Sequence, residues 1–346
     1  MRRPVNRSEA APEMRALVTG AAGFIGSTLS ERLVAEGHGV TAVDCLTAHY
    51  DPAQKRSNLD ALGRLPGCVV VRADLRTSDL ASLLDGIDVV FHLSGQPGVR
   101  SSWDSGFPSY AEHNILVTQR LLEAVRGRPL KRLVFASSSS VYGNAPAYPT
   151  SEVDLPRPQS PYGVTKLAAE HLCTLYARNW DVPTVSLRYF TVYGPRQRPD
   201  MAIHRLFEAA LSGEAFPLYG DGQQVRDFTF VDDVVEANLL AATASVPPGS
   251  VINISGGSAT TLMEVVNIVG ELTEDPVELD RYPSQPGDVE RTGGSTERAT
   301  QLLGWAPRVG LPGGLAAQLA WHRERRAAMG LASISGRSDA AHALHS

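Results

Sequence analysis

Tyr162 and Lys166 stand four apart in SPYGVTKLAAEHL, a stretch that opens on Pro161 and reads as a helix, so both side chains share one face. Alone, a Tyr and a Lys at this spacing are more often a surface pair. Here they follow RLVFASSSSVYG, in which Ser138 ends a β-branched run. A serine hydroxyl, a phenol and an ammonium group together suit proton transfer at an alcohol or ketone. A phenol with a pKa of about 10 is no base at neutral pH unless cations stabilise the phenolate. Bringing it into range takes roughly 4 kcal/mol, which two nearby positive charges in a partly desolvated site can supply. Lys166 is one of them, and Ser138 would hold the reacting hydroxyl.

The elements that position these groups begin at RALVT, which runs into TGAAGFIG and the amphipathic stretch FIGSTLSERLVAEG. Gly20, Gly23 and Gly26, with Phe24 and Ile25 between them, form a turn whose backbone N–H groups approach a pyrophosphate closely. A second run ends at Asp44, where a carboxylate accepts from an adenosine ribose and repels a 2′-phosphate. NAD is therefore expected over NADP, and an oxidised nicotinamide is the second cation near Tyr162. Asp74 and Leu75 close the third run, and Leu93 to Gln96 the fourth, at strand ends where ligands of open α/β sheets bind. A plain strand-end cap accounts for Asp74 equally well.

The runs RALVT, GVTAVD, CVVVRADL, DVVFHL, RLVFAS and TVSLRYF are apolar throughout and alternate with stretches of helical period. That pattern predicts an α/β fold, a Rossmann-type doubly wound parallel sheet covered on both faces. Residues 14–190 are expected to form the dinucleotide-binding domain. Residues 191–325, looser and rich in Gly and Pro, are expected to form a smaller C-terminal substrate-binding lobe that includes the strand-like VINIS. The tails 1–13 and 331–346 lack periodic apolar positions and are expected to be disordered.

The 346 residues carry 32 Lys and Arg against 37 Asp and Glu, a net charge of −5, with no basic field for a nucleic acid. No 18-residue apolar stretch or leader-like core occurs, so a soluble, cytoplasmic chain without a membrane partner is expected. Cys45, Cys68 and Cys173 are too few and too scattered for a metal cluster or a disulfide framework, and no metal is expected. They are read as reduced and mostly buried.

The GxxGxxG turn, Ser138, Tyr162 and Lys166 together resemble the extended short-chain dehydrogenases/reductases of nucleotide-sugar metabolism, the NAD-dependent epimerase/dehydratase family, over residues 14 to about 325. The resemblance assigns Asp74 and Leu75 to the adenine. It also assigns Arg226, in RDFTFVDDV, to the nucleotide pyrophosphate and Tyr219, in PLYGDG, to stacking on uracil. An ion pair of Arg226 with Asp227 or Asp232 is the plainer reading of that arginine. QPGDV resembles a loop whose acidic residue, here Asp288, contacts the ribose of UDP; many relatives carry arginine where Gln285 stands. The helices from Tyr110 to Val125 and from Tyr162 to Tyr176 resemble those that pair across a two-fold axis, implying a homodimer.

Dehydratases and UDP-glucuronate decarboxylases of this family generally carry an acidic residue before the Tyr of VYG; here Ser139 and Ser140 precede Val141. Reversible oxidation at C4, and hence epimerisation, is the simplest outcome. GVRSSW and RYFTVYGPRQRPDMAIHRL resemble UDP-glucuronic acid 4-epimerases, whereas UDP-glucose 4-epimerases usually have asparagine at the position of Thr191. Ser138, Ser139, Ser140 and Thr191 are expected around the sugar. Arg100 and Arg198 are expected to face a C6 carboxylate or, alternatively, the diphosphate or neighbouring acids. The resemblance implies that Tyr162 takes the C4 hydroxyl proton, the 4-ketone turns over, and Tyr162 returns the proton. Its ketone is a β-keto acid, so the serines and Thr191 must keep the carboxylate from aligning with the carbonyl. The alternatives are a UDP-glucose or UDP-N-acetylglucosamine 4-epimerase, a UDP-glucuronate decarboxylase, and a non-catalytic NAD-binding regulator, which would typically lack the Tyr or Lys.

Overall fold

The computed structural model describes residues 13–257, 259–284 and 289–331. Seven strands form one sheet: β1 (Arg15–Thr19), β2 (Gly39–Asp44), β3 (Cys68–Arg72), β4 (Val89–His92), β5 (Arg132–Ser138), β6 (Thr184–Tyr189) and β7 (Ser250–Ile254). Their order is β7-β6-β5-β4-β1-β2-β3, and every ladder is parallel. The winding reverses between β1 and β4, which opens a crevice at the carboxyl ends of these strands.

One element departs from the sequence reading. The VINIS run, expected in the C-terminal lobe, is β7, paired with β6 from Ser250 opposite Val185 to Ile254 opposite Tyr189. The chain leaves the sheet after β6 and returns through the helix Val231–Thr243, which packs on the helix Phe24–Ala35. The lobe is therefore interrupted by core structure. Its own parts are short strand pairs, such as Phe216–Tyr219 with Leu279–Tyr282, and the helices Ala202–Ser212, Leu262–Thr273 and Leu311–Ala328.

Alternate residues of the sheet feed two apolar layers. Val18 and Phe91 pack with Leu29 and Leu33 on one side, and Leu17, Val90 and Phe135 pack with Leu121 and Leu122 on the other. Each such buried side chain contributes about 1.5–3 kcal/mol, so the strand ends that carry the cleft sit on a rigid platform. The buried Trp305 donates its indole N–H to the Asp233 carbonyl at 2.9 Å and ties the segment after the helix Glu297–Leu303 to the returning helix.

The helix Pro161–Trp180 starts where Ser160 caps it, its hydroxyl accepting from the Gly163 N–H at 3.1 Å with Pro161 in the first turn. It stops at Asp181, whose φ of 53° is left-handed. The cysteines are free but not mostly buried: Cys173 is buried, Cys68 half-buried and Cys45 exposed. Cys45 follows β2 directly and so sits in a loop at the open end of the sheet rather than in it. Among the described residues no helix is long and apolar enough to cross a membrane. The expectation for the tails falls almost wholly outside the described residues.

Candidate active site

The first βα turn is shaped for close approach. Gly20 has φ +72°, and a β-carbon there would lie 2.8 Å from the Ser94 nitrogen. The helix that follows has no side-chain cap and no acidic residue in its first turn, which leaves its N-terminal N–H groups and dipole for an anionic ligand. Gly20, Gly23, Phe24, Ile25, Gly26, Asp44, Asp74, Leu75, Leu93, Gln96, Tyr162 and Lys166 all line one cleft. Asp44 is oriented by the N–H groups of Ala22 at 3.1 Å and Leu46 at 2.7 Å. Asp74 both faces the cleft and caps its own turn, accepting from the Arg76 N–H at 2.9 Å, and its pairing with the Arg76 side chain holds its carboxyl below the usual range. An uncapped helix start, a glycine turn and a strand-end carboxylate are a fit for a dinucleotide.

At the other end of the cleft, β5 delivers Ser138 and the Pro161–Trp180 helix delivers Tyr162 and Lys166. The Ser138 hydroxyl accepts from the Ser140 N–H at 3.1 Å and stands near the Tyr162 phenol. Burial pushes the Tyr162 phenol up, while Ser138 and the charge of Arg198 oppose that rise. The Lys166 ammonium donates to the Ala136 carbonyl at 2.9 Å and lies 5.1 Å from the centre of the Phe135 ring. Burial brings it down to about 8, which leaves it mostly protonated at neutral pH.

A buried ion pair locks this corner from beneath. One turn after Lys166, Glu170 accepts from Ser137 at 2.7 Å and from both arms of Arg188, at 2.9 and 2.6 Å. The end of β5 is thereby fastened to the helix that carries Tyr162. Asn114, which the sequence reading missed, does the same for the β4 loop. Its amide oxygen accepts from the Gln96 N–H at 2.7 Å, and its amide nitrogen donates to the Thr165 hydroxyl at 2.9 Å. It lies in a π-helical stretch, Ala111–Leu116, a widening frequent at functional sites and without a sequence signature. His49, Tyr50 and Lys55 also line the cleft from a loop and helix that carried no recognisable motif.

The residues expected around the sugar nucleotide are dispersed. Ser139 and Ser140 face a smaller cavity, shared with Val99, Gly143 and Thr292. Thr191 bridges β6 to the lobe, its carbonyl accepting from the Thr229 N–H at 2.9 Å. Arg100 stacks over the Tyr219 ring at 4.4 Å, and Tyr219 meets Tyr282 at 5.5 Å. Arg226 donates to the Val225 carbonyl at 2.9 Å. Arg198, expected with Arg100 at a carboxylate, lines the dinucleotide cleft beside Tyr162 and pairs with Asp200. Gln285 and Asp288 lie outside the described residues.

Sheet order, glycine turn and the Ser138–Tyr162–Lys166 corner define a dinucleotide-binding α/β enzyme. The chain belongs to the NAD dependent epimerase/dehydratase family, which it matches over residues 16–255. It is 42% identical to YtcB of Bacillus subtilis, named an uncharacterized UDP-glucose epimerase, covering 89% of this chain and 98% of that protein. It superimposes on the UDP-glucuronic acid 4-epimerase of Bacillus cereus, solved with UDP-glucuronic acid and NAD, with a TM-score of 0.88 and 40% identity, over 90% of this chain and 100% of the other. MoeE5, also solved with UDP-glucuronic acid and NAD, is 45% identical with a TM-score of 0.82, over 90% and 99% of the two chains.

Proposed function

We propose that this chain is a UDP-glucuronic acid 4-epimerase that interconverts UDP-glucuronate and UDP-galacturonate through a 4-keto intermediate, with NAD held in the cleft. The observation that carries the reading is that Tyr162 and Lys166 line one cleft with Ser138 close to the phenol, in a chain whose VYG segment is preceded by Ser139 and Ser140 rather than an acid. The Bacillus cereus enzyme and MoeE5, both solved with UDP-glucuronic acid and NAD, support it.

The glycine turn and the helix start at Phe24 would hold the pyrophosphate of NAD, and Asp44 its adenosine ribose. Bound NAD supplies reversible oxidation at C4 of the sugar. Tyr162 takes the C4 hydroxyl proton on its phenolic oxygen and returns it to the turned ketone. Ser138 orients the sugar oxygen, and protonated Lys166 lowers the energy of the phenolate. Ser139, Ser140 and Thr191 donate to the C6 carboxylate and keep its C–C bond out of line with the carbonyl π system, so carbon dioxide is retained. Arg226 and Tyr219 take the pyrophosphate and uracil of the substrate, with Arg100 stacked on the Tyr219 ring.

We further infer a homodimer. Leu116 and, on the catalytic helix, Val164, Leu175 and Trp180 are large exposed apolar side chains on the two helices expected to pair. The likeness to YtcB favours UDP-glucose turnover as a second reading. Incubating the purified chain with UDP-glucuronate or UDP-glucose, without added NAD, and separating the products by chromatography decides between them. UDP-galacturonate should form, and UDP-galactose far more slowly. Equal rates on both sugars would overturn the assignment.

A further inference from the structure

Within RYFTVYGPRQRPDMAIHRL, the segment RPDMA contains Arg198 and, two residues on, the acid that aims it. Asp200 meets the Arg198 guanidinium fork to fork, accepting from Nε at 3.0 Å and from Nη2 at 2.9 Å. Two parallel charge-assisted bonds fix the direction of a guanidinium as a single one does not. His49 packs beside the carboxylate, its Nε2 3.7 Å away and beyond hydrogen-bond reach. The other ring nitrogen of His49 meets the Gln96 amide Nε2 at 2.8 Å, so that nitrogen accepts and Nε2 carries its hydrogen toward Asp200. Burial would push the Asp200 carboxyl up, but His49 and Arg198 hold it well below the usual range, ionised at every working pH.

The backbone under Arg198 is fixed independently. The side chain of Gln197 donates to the Val192 carbonyl at 3.0 Å and accepts from Gln318 at 2.9 Å, while its carbonyl meets His204 at 2.8 Å. Only the direction of the Arg198 side chain is left to Asp200.

We propose that Asp200 is a positioning residue: it holds the Arg198 guanidinium in the cleft beside Tyr162, and Arg198 joins Lys166 as a cation that stabilises the phenolate. The groups that face Tyr162 are Ser138 from the end of β5, Arg198 from its loop, the Tyr110 ring at 6.2 Å and Lys166 one turn along. The Tyr110 hydroxyl is committed to the Pro97 and Gly98 carbonyls, at 2.7 and 2.9 Å, and Lys166 to Ala136. Arg198 is the group among these whose charge acts against the burial of the phenol.

The proposal rests on Tyr162 as the proton-transferring residue, and its test turns on a sign. If Asp200 acted only as a negative charge in the cleft, removing the charge would make Tyr162 easier to ionise. If it aims Arg198, removing it makes Tyr162 harder to ionise. The measurement is an ultraviolet tyrosinate titration of the full chain, each variant referred to the same variant carrying Tyr162→Phe, so that Tyr162 alone is read and no substrate is needed. The acid limb of kcat/KM for UDP-glucuronate is recorded alongside. Arg198→Gln and Asp200→Asn should both move the ionisation of Tyr162 up by about one pH unit, a tenfold change, and Asp200→Glu should restore most of it. An unchanged or lowered ionisation in Asp200→Asn would overturn the proposal, as would a raised one that Asp200→Glu fails to restore. A chain inactive on UDP-glucuronate would defeat the proposed function while leaving the titration to judge this one.

Discussion

Gly163 lies so near Ser140 that a β-carbon at 163 would stand 2.5 Å from the Ser140 carbonyl oxygen. The serine turn and the first turn of the catalytic helix are thus closed on each other through a position where only hydrogen fits. Because Tyr162 is the preceding residue and Ser138 begins that turn, this contact sets how closely Ser138 and Tyr162 approach each other.

Gly163→Ala should therefore cost activity before it costs the fold. Backbone must shift on one side, and displacing a reacting group by a fraction of an ångström lowers rate steeply. We expect kcat to fall at least about tenfold, with the thermal midpoint lowered and circular dichroism unchanged. Wild-type kcat in a folded Gly163→Ala variant would show that the two turns need not touch.

The hydroxyls around the sugar carry a second expectation. If Ser139, Ser140 and Thr191 restrain the carboxylate of the 4-keto sugar, their replacement by Ala should slow epimerisation and raise the share of turnovers that lose carbon dioxide. A loss of about 1–3 kcal/mol in that restraint changes the partition by roughly 5- to 150-fold. UDP-pentose is the product to quantify. Slower epimerisation with no UDP-pentose would reduce these residues to general substrate binding.

Buried histidines make the fold sensitive to acid. His92 sits between the hydroxyls of Thr19 at 2.9 Å and Thr118 at 3.0 Å, and burial pushes it down to about 3. His204 is pushed down to about 4 by burial and then by the neighbouring His322. Both are neutral in the folded chain and take up a proton near pH 6.5 when unfolded. Their contribution is therefore whole above about pH 6.5 and is lost as pH falls toward the folded values, by about 2 kcal/mol each at pH 5. Urea unfolding at pH 7 and pH 5 should show this drop, and His92→Asn should reduce it by about half. A midpoint that does not move between the two pH values would contradict the account.

The sequence makes legible what is local. Gly20 to Gly26, Asp44, the pair Tyr162 and Lys166, and six of the seven strands declare themselves by spacing and run length, and all converge on one crevice. The seventh strand was visible as VINIS, but its place beside β6 depends on a crossover that no local pattern encodes. The charge of Arg198 is legible in the sequence, but its direction follows from its pairing with Asp200, one of the neighbouring acids it could face, in a cleft that the distant His49 also lines. Asn114 owes its reach to a π-helical turn. The exposure of Cys45 reflects the end of a strand, a boundary that apolar runs mark least sharply.

The central claim is that chemistry occurs at C4 and that what leaves the carbon comes back to it. UDP-glucuronate deuterated at C4, turned over by the wild-type chain in ordinary water without added NAD, tests this most directly by mass spectrometry and proton NMR of the product. Full retention of deuterium at C4 of UDP-galacturonate, with no solvent hydrogen entering at C5, is the predicted result. Loss of the C4 label to solvent, or exchange at C5, would contradict it.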